Sequence, residues 1–283
     1  MHVQVTKADG TNEYFKIEKL RRSLRRSGAT PEEVNLVVSQ ILSELYEGIL
    51  TQEIYRRAYT ILREQEAPIA ARYSLRRALY SLGPTGFPFE LLLARLFTAE
   101  GYETRTGIIL EGHCASHEID FAAFNDKHSF VGEAKFHARP GIKTDLQVAM
   151  YSYARLLDLR DNRICQESIC AIDEFWLVTN TKFTSAAERY ALCVGVNLLS
   201  WDFPRNNNLH DRIQRNKVYP VTVLQSLNNN QISVLIARGI ITCKEILDNP
   251  GVLRYLHISN SKHEAVLAEA NAILHGQITA HNE

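Results

Sequence analysis

No apolar run in the 283 residues approaches the roughly 20 needed to cross a bilayer, which argues against a helical membrane protein. The first residues, Met1-His2-Val3-Gln4-Val5, do not read as a signal peptide. Cysteine is scarce, with five scattered copies, so a disulfide scaffold is excluded and a reducing cytoplasm is expected. Charge of one sign is not in excess, 32 Lys+Arg standing against 32 Asp+Glu, so the chain lacks the overall basic footprint common in nucleic-acid binders. A P-loop is missing too, because Gly107 and Gly112 are followed by His113 rather than by Lys and Ser or Thr.

What is present is ordinary globular composition, 45% hydrophobic and 23% charged, over a length that suggests two domains or three small ones. The charge is uneven along the chain: residues 1–82 are net basic, 83–205 net acidic and 206–283 close to neutral. The chemistry-bearing stretch runs from His117 to His137. Two short apolar runs flank Asn125-Asp126-Lys127-His128, which reads as strand, turn and strand. With the turn centred between Asp126 and Lys127, Asp120 lies opposite Glu133. Alternation then places Glu133 and Lys135 on one face, and cross-strand pairing puts Asp120 on it too. Two carboxylates and an ammonium that converge in this way suit phosphodiester hydrolysis. The acids offer hard oxygen ligands to Mg²⁺ or Mn²⁺, and the lysine orients water or stabilises negative charge. A surface ion pair is the plainer alternative.

At the N-terminal end, residues 3–6 and Glu13-Tyr14-Phe15 read as a hairpin about Asp9-Gly10, followed by four helices. Thr30-Pro31-Glu32-Glu33 is a capping box with proline at the first helical position. Thr51 opens the next helix, and Ile69–Leu82 is expected as a single helix. The residues Val5-Thr6-Lys7-x-Asp9-Gly10, Glu13, Phe15, Lys19-Leu20 and Thr51-x-x-Ile54 resemble the ATP-cone, a nucleotide-binding regulatory domain, over residues 1–82. The resemblance implies ATP or dATP as allosteric ligand. Lys7 and Lys19 would meet phosphates, Val5, Leu20 and Ile54 would form walls, and Glu13 and Thr51 would be polar contacts. Ala8 stands where that family often has arginine. The run Arg21-Arg22…Arg25-Arg26 reads as a solvated helix face or a phosphate contact.

Gly83-Pro84-Thr85-Gly86 marks a boundary. Beyond it the pattern runs helix, three strands, helix, strand, helix, strand, which implies an α/β sandwich. Gly86-Phe87-x-Phe89-Glu90, Gly101-Tyr102, His117-Glu118-Ile119-Asp120, Glu133-Ala134-Lys135-Phe136 and Val178-Thr179-Asn180 resemble the Mrr-like restriction endonucleases of the PD-(D/E)XK superfamily over residues 83–205. That resemblance implies a mixed central sheet with Asp120 and Glu133 as metal ligands and Lys135 as the catalytic lysine. Glu90 would be an accessory acid, or simply a carboxylate at a helix N-terminus. Gln147 would be polar support near the substrate. His113-Cys114-x-x-His117, with Cys165 and Cys170, invites a zinc reading, but the spacing matches no standard site and loop histidines with buried thiols are preferred. His137 reads as a surface histidine, and Trp176 and Trp201 as core. Residues 203–220 read as a linker. Residues 218–276 read as a small helical domain that faintly resembles helix-hairpin-helix modules through Gly239, or as a packing module.

The expectation is thus a multi-domain α/β protein: a cytoplasmic, nucleotide-regulated, metal-dependent DNA endonuclease of restriction or repair. Because each chain shows one site and a duplex has two strands, a homo-oligomer is expected. The alternative is a nucleotide-sensing DNA-binding regulator without cleavage.

Overall fold

The computed structural model describes residues 3–164, 171–172 and 174–275. The hairpin β1 (Gln4–Thr6) and β2 (Asn12–Tyr14) turns through Gly10 at φ 79°, where Asp9 Oδ1 accepts the Thr11 amide at 3.0 Å. A third strand, β3 (Ile49–Leu50), runs parallel to β1 on its other side. Around this sheet pack α1 (Ile17–Arg26), α2 (Pro31–Ser43), α3 (Thr51–Gln65) and the start of α4 (Ala67–Tyr73), enclosing Val5, Leu20, Leu24, Val34, Val38, Ile41, Ile54, Ala58 and Leu62. The expected capping box forms: Thr30 Oγ1 accepts the Glu33 amide, and Glu33 Oε2 accepts the Thr30 amide at 2.7 Å.

The single helix expected over Ile69–Leu82 is two. The chain breaks at Ser74 between α4 and α5 (Leu75–Tyr80), and Pro68 lies in the first turn of α4, where a missing amide hydrogen costs nothing. The break lets α5 leave the first core. Leu75, Ala78, Leu79 and Leu82 join a second core shared with the next helix, one face of the central sheet and the C-terminal helices.

That central sheet has the order β10-β8-β6-β5-β4, built from β4 (Glu103–Glu111), β5 (Ser116–Phe124), β6 (Ser129–Lys135), β8 (Glu174–Thr179) and β10 (Asn197–Leu199). The strands β6, β8 and β10 are parallel, and β5 and β4 extend the sheet antiparallel, so it is mixed. A two-stranded parallel ribbon, β7 (Lys143–Thr144) with β9 (Lys182–Phe183), lies apart from it. On one face sits α6 (Phe87–Ala99), whose Phe89, Leu92, Leu93, Leu96 and Phe97 share a core with Phe121, Ala123, Phe130 and Val178. On the other lie α7 (Leu146–Leu159) and α8 (Ser185–Val194), whose Ala149, Leu156, Ala187 and Ala191 share a core with Ala122, Val131, Phe175 and Leu177. Gly132 is dictated by packing, since a Cβ there would overlap the Phe121 ring and the Trp176 carbonyl.

The segment expected as a linker contains a buried helix, α9 (Leu209–Arg215), capped reciprocally by Asn208 and Asp211. It joins two units. Arg212 donates to Glu100 at the end of α6 while its guanidinium lies 4.9 Å from the Phe97 ring centroid. Arg26, at the end of α1, donates to Asn208 at 3.1 Å and to Asp211 at 2.7 Å. Part of the basic run is therefore an internal tie rather than a solvated face. Against burial, the His210 hydrogen bond and then Arg26 hold the Asp211 carboxyl down at about 2.

The helices α10 (Asn229–Ala237), α11 (Cys243–Asp248) and α12 (Asn260–His275) complete the chain, with Gly239 at φ 75° in the turn after α10. Their Leu235, Ile246, Val266 and Ile273, with Leu253 from the turn between α11 and α12, merge into the second core. Trp176 and Trp201 both pack against that core, as expected. No helix among the described residues is long and apolar enough to span a membrane.

Candidate functional site

The strand pair β5–β6 has the offset read from the sequence: Phe121 faces Gly132, Ala122 faces Val131 and Phe124 faces Ser129. Asn125 closes the turn, its amide donating to the His128 carbonyl at 2.9 Å. Beyond Phe121 the two strands part. The separation coincides with Gly107, the residue opposite Asp120 on β4, which adopts φ 58° while the pairing continues on both sides of it. In place of a backbone bond, the Asp120 side chain bridges the gap: Oδ2 accepts the Ala134 amide at 2.6 Å.

Glu133 and Lys135 follow on the α7 face of β6, where Glu133 pairs with Arg155 of α7. Arg155 is 3% exposed, its guanidinium carbon is 5.1 Å from the Tyr151 ring centroid, and its Nε has no hydrogen-bond partner among the described residues. Each acid thus commits one oxygen internally. Among the described residues, the second oxygens of Asp120 and Glu133 and the Lys135 ammonium have no hydrogen bond or ion pair.

Glu90 approaches from the first turn of α6, which is anchored beside Lys135 by Phe89 against Phe136, ring centroids 5.9 Å apart. Burial and then the charges of Asp120, Glu118 and Glu133 push its carboxyl up to about 7. A helix N-terminus alone would act in the opposite direction, so Glu90 belongs electrostatically to the carboxylate cluster. Asp120 is likewise raised to about 6 by burial and Glu133, against the Ala134 hydrogen bond and Arg155.

These raised values set a pH dependence. A carboxyl whose folded pKa exceeds its unfolded value contributes stability at low pH, which is lost as pH rises through the folded pKa. For Glu90 that window runs from its ordinary 4.5 to about 7. In EDTA, Glu90→Gln should therefore melt close to the wild type at pH 5 and above it at pH 8. A difference in thermal midpoint that does not change with pH would refute the coupling of Glu90 to the cluster.

Gln147 is exposed in the first turn of α7, its amide bound by the N-cap Asp145, and it makes no side-chain bond to the acids. His137 is not a free surface group. Asn180 clamps its backbone, accepting the amide hydrogen and donating to the carbonyl, both at 2.9 Å, and its ring meets Thr144 at 3.2 Å. Burial and Lys135 lower its pKa. The His113–His117 loop is fixed by Asp158, which accepts the Cys114 amide at 2.7 Å and the Ala115 amide at 3.2 Å and pairs with His117 at 2.7 Å. Cys165 and Cys170 lie outside the described residues. No group of three or more His, Cys, Asp or Glu side chains suited to a metal occurs among the described residues.

At the N-terminal domain, Glu13 faces Val5 across the hairpin and draws in both lysines, Lys7 at 3.0 Å and Lys19 at 2.8 Å. Lys19 and then Lys7 hold its carboxyl below the ordinary range. Thr51 follows β3, and the β1–β3 offset carried one residue further sets it beside Lys7. Val5, Leu20 and Ile54 are buried in the core under the hairpin, so they support the site from below.

Two family models match the chain, the ATP cone domain over residues 3–82 and "AF1548-like, C-terminal" over residues 219–274. Neither reaches the carboxylate site. An uncharacterized protein of Archaeoglobus fulgidus is 33% identical over 183 residues, 64% of this chain and 99% of that protein. The crystal structure of AF1548, a protein of unknown function, superposes with a TM-score of 0.56 at 31% identity, covering 68% of this chain and all of that one.

Proposed function

We propose, for a chain that belongs to the AF1548-like family and carries an ATP-cone domain, the function of a nucleotide-regulated, metal-dependent DNA endonuclease. The observation that carries this reading is that Asp120, at the end of the β5–β6 ladder, is electrostatically coupled to Glu133, with Lys135 two residues further along β6, while each acid keeps one oxygen, and Lys135 its ammonium, without a hydrogen bond or ion pair among the described residues. The order of helix, three strands, helix, strand, helix and strand supports it, as does the resemblance of the surrounding residues to Mrr-like PD-(D/E)XK enzymes.

The donor set fits Mg²⁺ or Mn²⁺. Two carboxylates are a sufficient protein contribution for an ion that keeps several of its waters, and the raised pKa values of Asp120 and Glu90 register negative charge that a cation would relieve. When bound, the ion supplies Lewis acidity toward the scissile phosphate and acidifies water. Asp120 and Glu133 would hold it. Lys135 Nζ would orient the attacking water and stabilise the charge that builds on phosphate oxygen. Glu90, with a carboxyl near 7, would hold or release a proton at its carboxylate oxygen near neutral pH. Arg155 and the Asn180 clamp would position the strand end that carries the acid and the lysine.

Supercoiled plasmid incubated with the full chain should be nicked in Mg²⁺ or Mn²⁺ and left intact in EDTA. Cutting of both strands would further require a dimer by light scattering, and a monomeric mass with DNA would restrict the protein to nicking. One observation favours the other reading, a nucleotide-sensing DNA binder that does not cut: Arg155 already neutralises one carboxylate oxygen of Glu133. DNA retardation without metal-dependent nicking would establish that function instead.

A further inference from the structure

The turn of the N-terminal hairpin meets a five-residue segment, Ala138-Arg139-Pro140-Gly141-Ile142, that follows Lys135 closely in the chain. Gly141 sits at φ 91° with its Cα against the Ala8–Asp9 peptide, so close that an added Cβ would lie 3.4 Å from the Asp9 nitrogen and 3.5 Å from the Ala8 carbonyl carbon. Both ends of the segment are fastened. Upstream, two residues after Lys135, Asn180 clamps both backbone groups of His137. Downstream, Thr144 is buried, pairs with β9 and receives the Thr184 amide at 2.9 Å, immediately before the Asp145 cap of the helix that carries Arg155. A shift of the segment would therefore be felt at both Lys135 and Arg155.

The hairpin itself is short of free positive charge. Lys7 and Lys19 both pair with Glu13, so the trio offers one net charge to a polyphosphate that brings several negative ones. The residue between them in the turn is Ala8, with no charge to give. The segment seated on that turn carries one cation, Arg139, which is exposed and has no hydrogen bond or ion pair among the described residues. A residue two positions from that contact has a side chain long enough to bring its guanidinium to an anion at the turn, and the planar fork suits phosphate oxygens.

We propose that Arg139 is a phosphate-binding residue of a composite nucleotide site, completing from the second domain the charge that the hairpin lacks, and that segment 138–142 thereby transmits nucleotide binding to the carboxylates. The inference rests on the nucleotide-regulated reading above and extends it, since the ligand is held by both domains at once. Regulation then needs no hydrolysis, because a ligand that favours one position of the segment shifts the population toward it.

Calorimetric titration of the full chain with ATP and dATP tests the assignment. Arg139→Ala should weaken binding by about tenfold or more, the loss expected for one charge-assisted contact, and Arg139→Lys should recover part of it. Lys143→Ala removes the same charge from the nearby ribbon and should leave the affinity within about twofold of wild type. Hydrogen exchange of amides 138–144 should slow with nucleotide in the wild type and not in Arg139→Ala. Unchanged affinity in Arg139→Ala would overturn the proposal, as would equal losses in both alanine variants or exchange in 138–144 that ignores bound nucleotide. If the wild type itself takes up neither nucleotide, the regulatory reading falls and this one with it. If binding and exchange respond as described while no variant nicks DNA, the composite site stands and only the nuclease reading fails.

Discussion

Alanine at Asp120, Glu133 or Lys135 should abolish plasmid nicking, with losses of at least two to three orders of magnitude, the scale seen when one preorganised charge-stabilising group is removed. The three substitutions do not act alike on the fold. Asp120→Ala strips the Ala134 amide of its acceptor at the point where the backbone ladder has ended. Glu133→Ala leaves Arg155 charged, 3% exposed and without its ion pair, a change that costs several kcal/mol in buried settings. Lys135→Ala removes a side chain that bonds to nothing described, while the strand stays held by Thr179 Oγ1 on the Lys135 carbonyl at 2.8 Å. Loss of activity in Lys135→Ala with an unchanged melting point is therefore the cleanest signature of chemistry rather than folding. Asp120→Asn and Glu133→Gln extend that logic to the acids, since an amide oxygen can still accept from Ala134 or Arg155 while the negative charge is gone. Wild-type nicking by Glu133→Gln would exclude Glu133 from the proposed metal site.

Parts of this arrangement were legible in the chain because local chemistry encodes them. The turn Asn125–His128 fixes the offset of β5 on β6, so the pairing of Phe121 with Gly132, one step short of Asp120 and Glu133, needed no tertiary information. The Thr30–Glu33 capping box is equally local. Arg155 carries a subtler signal: Ser152, Arg155, Leu156 and Leu159 recur at helical spacing and all are buried, and a charged residue on such a face implies a buried partner. The helix at Leu209–Arg215 lies inside the stretch 203–220 that reads as linker, yet Asn208-x-x-Asp211 is itself a capping pair. The fate of Arg26 and the merging of α5 with the C-terminal helices depend on contacts between segments over a hundred residues apart, which periodicity within a segment does not carry.

The hairpin of the ATP cone yields the second large effect. Lys7→Ala combined with Lys19→Ala should lower affinity for ATP and dATP by about a hundredfold or more, two charge-assisted contacts being lost together. The change exceeds a simple subtraction of contacts, because Glu13 stays behind with both its partners gone and the trio passes from net positive to net negative. Little stability should go with it. Glu13 is about a quarter exposed and the lysines more so, and ion pairs of this kind contribute at most about 1 kcal/mol. The same geometry gives Glu13→Gln a decisive sign. If Glu13 serves as a resting counterion that phosphates must displace, the amide frees both lysines and affinity for triphosphate rises. If Glu13 is instead a polar contact to the nucleotide, affinity falls. The rise is the expected result, since Glu13 spends its carboxylate on Lys7 and Lys19. Titration of the wild type, Glu13→Gln and the double alanine variant with ATP and dATP should rank them in the order Glu13→Gln, wild type, double variant. A double variant that binds as tightly as the wild type would exclude the lysines from the phosphate site.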